Sequence, residues 1–245
     1  MSYLTVKGLE KRYCESQKEL VIAGLDLTLE PGDIYCLLGA NGSGKTTLLK
    51  TILGLYPPDK GQVLFFDGPL TNKVKCEIGY VSDTLPRFPA MKVGEFMELS
   101  LKLYGHRGTG IKDYAATCLN KVGLYAAREK RLSDLSKGME RRLGLAQVMS
   151  HEPDLLILDE PIEGMDVEGL LVFENYLYQC QEKKRAVLFT THLYTHVKDL
   201  ATRVGILHKG KIIEKDAQDQ ETVNWSLATC VLEKRMYDEG GFLKC

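Results

Sequence analysis

Residues 34–53 constrain this chain more than any other stretch, because an apolar run passes through a glycine-rich loop into a helical stripe. Ile34, Tyr35, Cys36, Leu37 and Leu38 have the length and composition of a buried strand. The loop that follows is Gly39, Ala40, Asn41, Gly42, Ser43, Gly44, Lys45 and Thr46. Beyond it Leu48, Leu49, Ile52 and Leu53 recur at helical spacing, and Gly54 supplies a stop. In a strand–loop–helix unit of this kind the glycines let successive N–H groups curl around an anion. The helix N-terminus adds about half a positive charge. Lys45 is then placed to reach β- and γ-phosphates, and Thr46 to offer its hydroxyl to Mg²⁺. With Thr47 these residues form the candidate cradle for ATP or GTP.

The chain has 245 residues, 44% of them hydrophobic and 27% charged, which describes an ordinary globular protein able to bury a core. A formal net charge of -1 gives no overall basic field, so no nucleic-acid partner is expected. No apolar run approaches the roughly 18 residues needed to cross a bilayer, and the N-terminus lacks the pattern of a secretion signal. Seven cysteines without a paired C-x-x-C spacing fit reduced thiols in a cytosolic protein.

Residues 4–6, 25–29 and 63–67 read as short strands separated by turn signals at Gly8, Gly24 and Pro31-Gly32, which predicts a small antiparallel β layer. Helical texture follows over 95–104, 113–122 and 138–149. Alternation then resumes with a strand at 155–158, a helix at 167–182, a strand at 186–191, a helix at 193–200 and a strand at 204–207. Lys209 and Gly210 turn that last strand into a hairpin with 211–213. Strands separated by helices predict an α/β fold with a mostly parallel sheet, a P-loop core and an inserted helical subdomain. The expected organisation is one domain over 1–245. Its core covers 1–87 and 150–215, the helical subdomain 88–149, and a short extension 216–245.

A second chemical signal is the apolar run 155–158 ending in Asp159 and Glu160. Side chains alternate along a strand, so the two carboxylates face different tasks. Paired with the P-loop, Asp159 suits Mg²⁺ binding through its water shell, and Glu160 suits polarising an attacking water. Without that loop they would read as an acidic strand end at the surface.

Leu135, Ser136, Lys137, Gly138 and Met139 lead into a helix a dozen residues before the acidic strand, with Gly164, Met165, Asp166 and then Thr190, Thr191, His192 downstream. In this order the motifs resemble the nucleotide-binding subunit of ATP-binding cassette (ABC) transporters, over about residues 3–215. The resemblance implies that Ser136 and Gly138 contact ATP held by the P-loop of a second ABC ATPase subunit. Ser136 alone reads equally as a helix cap. The resemblance further implies adenine stacking by Tyr13, which packing in a core would explain as well. It makes Asp166 a communicating residue between subunits and His192 a switch that reads the γ-phosphate.

The sequence departs from the family pattern at Lys137 and Met139, where glycine and glutamine are commoner, and at Asp83, which stands where the family's glutamine senses Mg²⁺ and water. Asp83 can bind Mg²⁺ or its water, or make structural contacts only. His192 and His196 stand at i and i+4 without a third ligand, so His196 reads as a surface residue. The family's groove for an integral membrane subunit points to Leu85, Arg87, Phe88 and Met91, which ordinary packing would also explain. The resemblance implies an ATPase using ATP and Mg²⁺, dimeric, peripheral on the cytoplasmic face of the membrane, and most similar to exporters of the ABC-2 type. A soluble single-cassette ATPase of a cytosolic assembly complex is the alternative.

Overall fold

The computed structural model describes residues 1–12, 19–84, 88–192 and 200–216. Its main sheet has six strands. They are β3 (Ile34–Leu38), β5 (Ile78–Val81), β6 (Leu155–Leu158), β7 (Ala186–Thr191), β8 (Arg203–His208) and β9 (Lys211–Asp216), in the spatial order β5-β6-β7-β3-β8-β9. All neighbours are parallel except the β8–β9 hairpin. Every residue of β3, β6 and β7 is buried, as expected of central parallel strands covered on both faces.

A second sheet of β1 (Leu4–Lys11), β2 (Ile22–Leu29) and β4 (Lys60–Phe65) is antiparallel, in the order β2-β1-β4. In β2, Leu25, Leu27 and Leu29 are buried while Asp26 is exposed, the alternation of a sheet with one wet face. Here the sequence reading needs correction, because Gly8 and Gly24 lie inside strands. Both have positive φ (56° and 69°), and the β1–β2 register shifts between Val6 and Leu9. These glycines make bulges, and Gly8 N–H donates to Asp26 Oδ1 at 2.7 Å across the sheet.

Among the described residues the α-helices are α1 (Lys45–Ile52), α2 (Asn72–Cys76), α3 (Val93–Leu103), α4 (Ile111–Lys121), α5 (Lys137–Met149) and α6 (Val167–Glu182). On α3, Val93, Phe96, Met97, Ser100 and Leu101 are buried at 3–4 spacing, so one stripe seats the helix. The α3–α5 stripes share an apolar cluster with Ile34, Cys36, Leu38, Phe173 and Phe189 of the main layer. The opposite face of the main sheet packs on the antiparallel layer and α1 through Tyr35, Leu37, Leu48, Leu49 and Ile52. The P-loop therefore leaves a strand clamped between two cores, which fixes its base.

β5 lies in a segment to which the sequence reading assigned no strand. It is four residues long, and Gly79 packs so closely that an added Cβ would lie 2.7 Å from Pro153 Cγ. Among the described residues Cys36, Cys76, Cys118 and Cys180 are free thiols, and no helix is long and apolar enough to cross a membrane.

Candidate phosphate site and signature helix

The chain turns sharply after β3. Gly39 N–H donates to Thr191 O at 3.3 Å and Ser43 N–H to Ala40 O at 3.1 Å, while Gly42 and Gly44 adopt φ of 82° and 101°. Only glycine takes such angles without strain, and a Cβ on Gly44 would also approach Val21 Cγ1 to 2.8 Å. Gly44 caps α1 with no side-chain acceptor, so the first-turn N–H groups of Lys45, Thr46 and Thr47 are left for an anion.

Lys45 is buried. Its Nζ donates to Gly39 O at 2.6 Å and Ala40 O at 3.3 Å, and it pairs with Glu160 Oε1 at 3.0 Å. Glu160 adopts φ 48° at the end of β6, a left-handed turn that sends it and Asp159 to different partners. Its other oxygen lies 3.1 Å from His192 Nδ1. Its own N–H donates to Thr190 Oγ1 at 2.9 Å, and that hydroxyl donates to Asp159 Oδ1 at 2.8 Å. Lys45, Glu160 and His192 thus form one line of contacts, with Thr190 joining both carboxylate residues from β7.

Asp159 is fully buried, and its Oδ2 has no hydrogen-bond partner in the protein. Burial holds its carboxyl above the usual range. The hydroxyls of Thr46 and Thr190 work against that shift, and the charges of Asp83 and Glu160 reinforce it. An orphaned buried carboxylate oxygen next to a threonine hydroxyl fits a hard cation such as Mg²⁺. Among the described residues no three His, Cys, Asp or Glu side chains close around one point.

A cleft of about 400 Å³ is lined by Asn41, Gly42, Gly44, Lys45, Thr46, Thr47, Asp83, Glu160 and Glu163. Ser136 and Gly138 do not line it. Ser136 is the N-cap of α5, accepting from Met139 N–H at 3.3 Å, so the capping role holds in the single chain. Gly138 is needed for contact with the following loop, since a Cβ there would lie 2.8 Å from Gly164 O. Asp166 caps α6 by accepting from Gly169 N–H at 2.8 Å and pairs with Arg142 Nη2 at 3.4 Å.

Tyr13, Leu85, Arg87 and His196 lie outside the described residues. Phe88 is exposed, whereas Met91 packs against the core. Sequence reasoning gave no role of their own to Glu163, Arg141 and Thr190. Glu163 stands three residues after Glu160, and Thr190 two before His192, so proximity to each motif was the available signal.

A glycine-wrapped anion cradle facing two carboxylates at the end of a parallel strand two places away in the same sheet defines a P-loop nucleotide-binding protein. Residues 22–163 match the family described as ABC transporter, and the chain belongs to that family as its ATP-binding domain. The linearmycin resistance ATP-binding protein LnrL of Bacillus subtilis is 32% identical over 213 residues, covering 86% of this chain and 68% of that protein. The bacitracin transport ATP-binding protein BcrA of Enterococcus faecalis is 33% identical over 217 residues, covering 86% and 68%. A relative from Nostoc, an ABC transporter ATP-binding protein, is 31% identical, but this chain spans only 62% of its length. Among solved structures, an ATP-binding cassette in a dimeric post-hydrolysis state with ADP and Pi superposes with a TM-score of 0.78 at 22% identity. It covers 88% of this chain and 99% of that one. The ATP-binding subunit of an ABC transporter gives 0.80 at 23% identity, covering 95% and 97%. These superpositions carry the fold.

Proposed function

We propose that this chain is the ATP-hydrolysing subunit of an ABC exporter, and that it dimerises around two ATP molecules to drive an integral membrane partner. The observation that carries the reading is the contact between Lys45 and Glu160, with His192 on the other carboxylate oxygen. Glu160 pairs with the P-loop lysine at 3.0 Å. Phosphate oxygens compete for Lys45, and its transfer to them releases Glu160 toward the cleft. Glu160 then takes a proton from water as the water oxygen bonds to the γ-phosphorus and the bond to the ADP oxygen breaks. His192 contacts the other Glu160 oxygen and reads the γ-phosphate.

Thr46 and Asp159 are the residues that would hold Mg²⁺, with Asp83 at the cleft wall contributing charge. Bound there, Mg²⁺ would neutralise charge building on the β- and γ-oxygens. The signature residues Ser136 and Gly138 lie outside the cleft of their own chain, which supports their use on the ATP of a second subunit. Similarity to antibiotic-resistance and transport ATPases supports an exporter of the ABC-2 type, with the chain peripheral on the cytoplasmic face.

Purification from its own host in detergent tests the reading directly. The expected result is a stable complex with an integral membrane protein, whose addition stimulates ATP hydrolysis. Recovery with soluble partners alone would sink the exporter assignment.

A further inference from the structure

Two buried polar atoms on adjacent strands, Oδ2 of Asp159 and the hydroxyl of Tyr80, have no hydrogen-bond partner among the described residues. Tyr80 stands opposite Ile157 in the β5–β6 register, and the ladder continues past it, with Asp159 N–H donating to Val81 O at 2.8 Å. Ile78, Tyr80 and Ile157 pack on the side of the sheet that carries Leu48, Leu49 and Ile52 of α1, whereas Val81 and Leu158 pack on the other. Alternation therefore puts Asp159 on the α1 side as well, diagonally across from Tyr80 and next to Thr46.

Burial, and then the charges of Asp159 and Asp83, push the Tyr80 phenol above its ordinary range. It keeps its proton, and so brings a donor to a wall where two ionised carboxylates bring only acceptors. Leaving a buried hydroxyl and a buried carboxylate oxygen both unmet is costly, and protein interiors resolve such pairs with water or an ion. Phenylalanine would fill the same space without that cost.

We propose that Tyr80 is a positioning residue for the metal site: its hydroxyl donates to a water shared with Asp159 Oδ2, in the shell of the divalent cation that Thr46 and Asp159 would hold. That bond sets the orientation of the free carboxylate oxygen before the cation arrives. The inference rests on reading the cleft as an Mg²⁺–ATP site. It adds a residue of β5 that does not itself line the cleft.

The test measures binding of a fluorescent, non-hydrolysable ATP analogue to the full chain in Mg²⁺ and in EDTA. The unsubstituted protein should bind more tightly in Mg²⁺. Tyr80→Phe should leave affinity in EDTA within about twofold and shrink the gain from Mg²⁺ about three- to tenfold, the scale of one net hydrogen bond. The melting temperature of the nucleotide-free variant should hold or rise, because the hydroxyl it loses has no protein partner. An unchanged Mg²⁺ gain in Tyr80→Phe would overturn the inference. So would an equal loss of affinity in Mg²⁺ and in EDTA, which would assign the hydroxyl to the nucleotide or to the fold. A fall in melting temperature of more than about 3 °C would overturn it too, by revealing a structural role. If the unsubstituted protein gained nothing from Mg²⁺, the metal reading would fall and the inference with it.

Discussion

The phosphate cleft and the signature helix are both built from short motifs, yet they are finished in different ways. In the cleft, Lys45, Asp159 and Glu160 are buried, and the lysine is satisfied by carbonyls and a carboxylate of its own chain. At the signature, Lys137, Glu163 and Asp166 stay partly or largely exposed, and Ser136 has only a capping bond. The first region neutralises its lysine internally. The second is held at a surface by ion pairs of 2.9–3.5 Å, the arrangement expected of a part completed by another molecule. Damage to the cleft should therefore show as lost chemistry or binding, and damage to the signature as lost assembly.

The largest expected effect lies in the cleft. Glu160→Gln should slow steady-state ATP hydrolysis by about 10²-fold or more while preserving ATP binding, the usual scale for losing a general base. Unchanged turnover would remove Glu160 from the reaction and dissolve the contrast between the two regions. Next comes Lys45→Ala, which loses the phosphate contact and leaves Glu160 without its cation. Loss of a charge-assisted hydrogen bond worth about 1.5–3 kcal/mol should weaken ATP affinity roughly 10- to 100-fold in equilibrium titration. Retention of full affinity would argue against the cradle.

Gly138→Ala addresses the other side. Its Cβ would press on Gly164 O, and the backbone must shift at a cost of about 1–3 kcal/mol, measurable by denaturant unfolding. Monomer nucleotide binding should survive, whereas ATP-dependent dimerisation should not. A variant that lost both together would show that the two regions are one.

The smallest effect concerns Asp159. Its carboxyl is held above the usual range by burial, so the folded chain binds its proton more tightly than the unfolded one. Ionisation therefore costs stability as pH rises through the folded-state value, and that cost vanishes below the ordinary value of 3.8. Asp159→Asn should raise the melting temperature of the nucleotide-free protein by a few degrees or less at pH 7, with the gain shrinking as the pH approaches 4. The same variant should impair Mg²⁺-dependent hydrolysis. A lower melting temperature at neutral pH would contradict the origin of the shift.

Much of this was legible in the sequence, and the reason is local. The helix expected at 167–182 and the strands at 155–158 and 186–191 have the bounds observed in the structure, because long periodic or wholly apolar runs carry their own signal. The P-loop was legible because its φ angles demand glycine at defined positions. Gly8 and Gly24 misled for the same reason, since a glycine at positive φ reads alike in a turn and in a bulge. β5 was missed because four residues containing a glycine have no periodicity to read, and their strand character comes from pairing with β6.

What the sequence determined by itself is the chemistry that neighbouring residues create: a cradle of N–H groups, a lysine at its rim, paired carboxylates at a strand end, and a capped signature helix. Only the tertiary structure decided that Lys45 rests on Glu160, that Asp159 keeps an oxygen free, and that Glu163 joins the cleft to α5. Those contacts link residues 22 to 115 positions apart, and no local propensity specifies them. They follow from parallel strands bringing distant loops to one edge of the sheet, where buried charges must find partners.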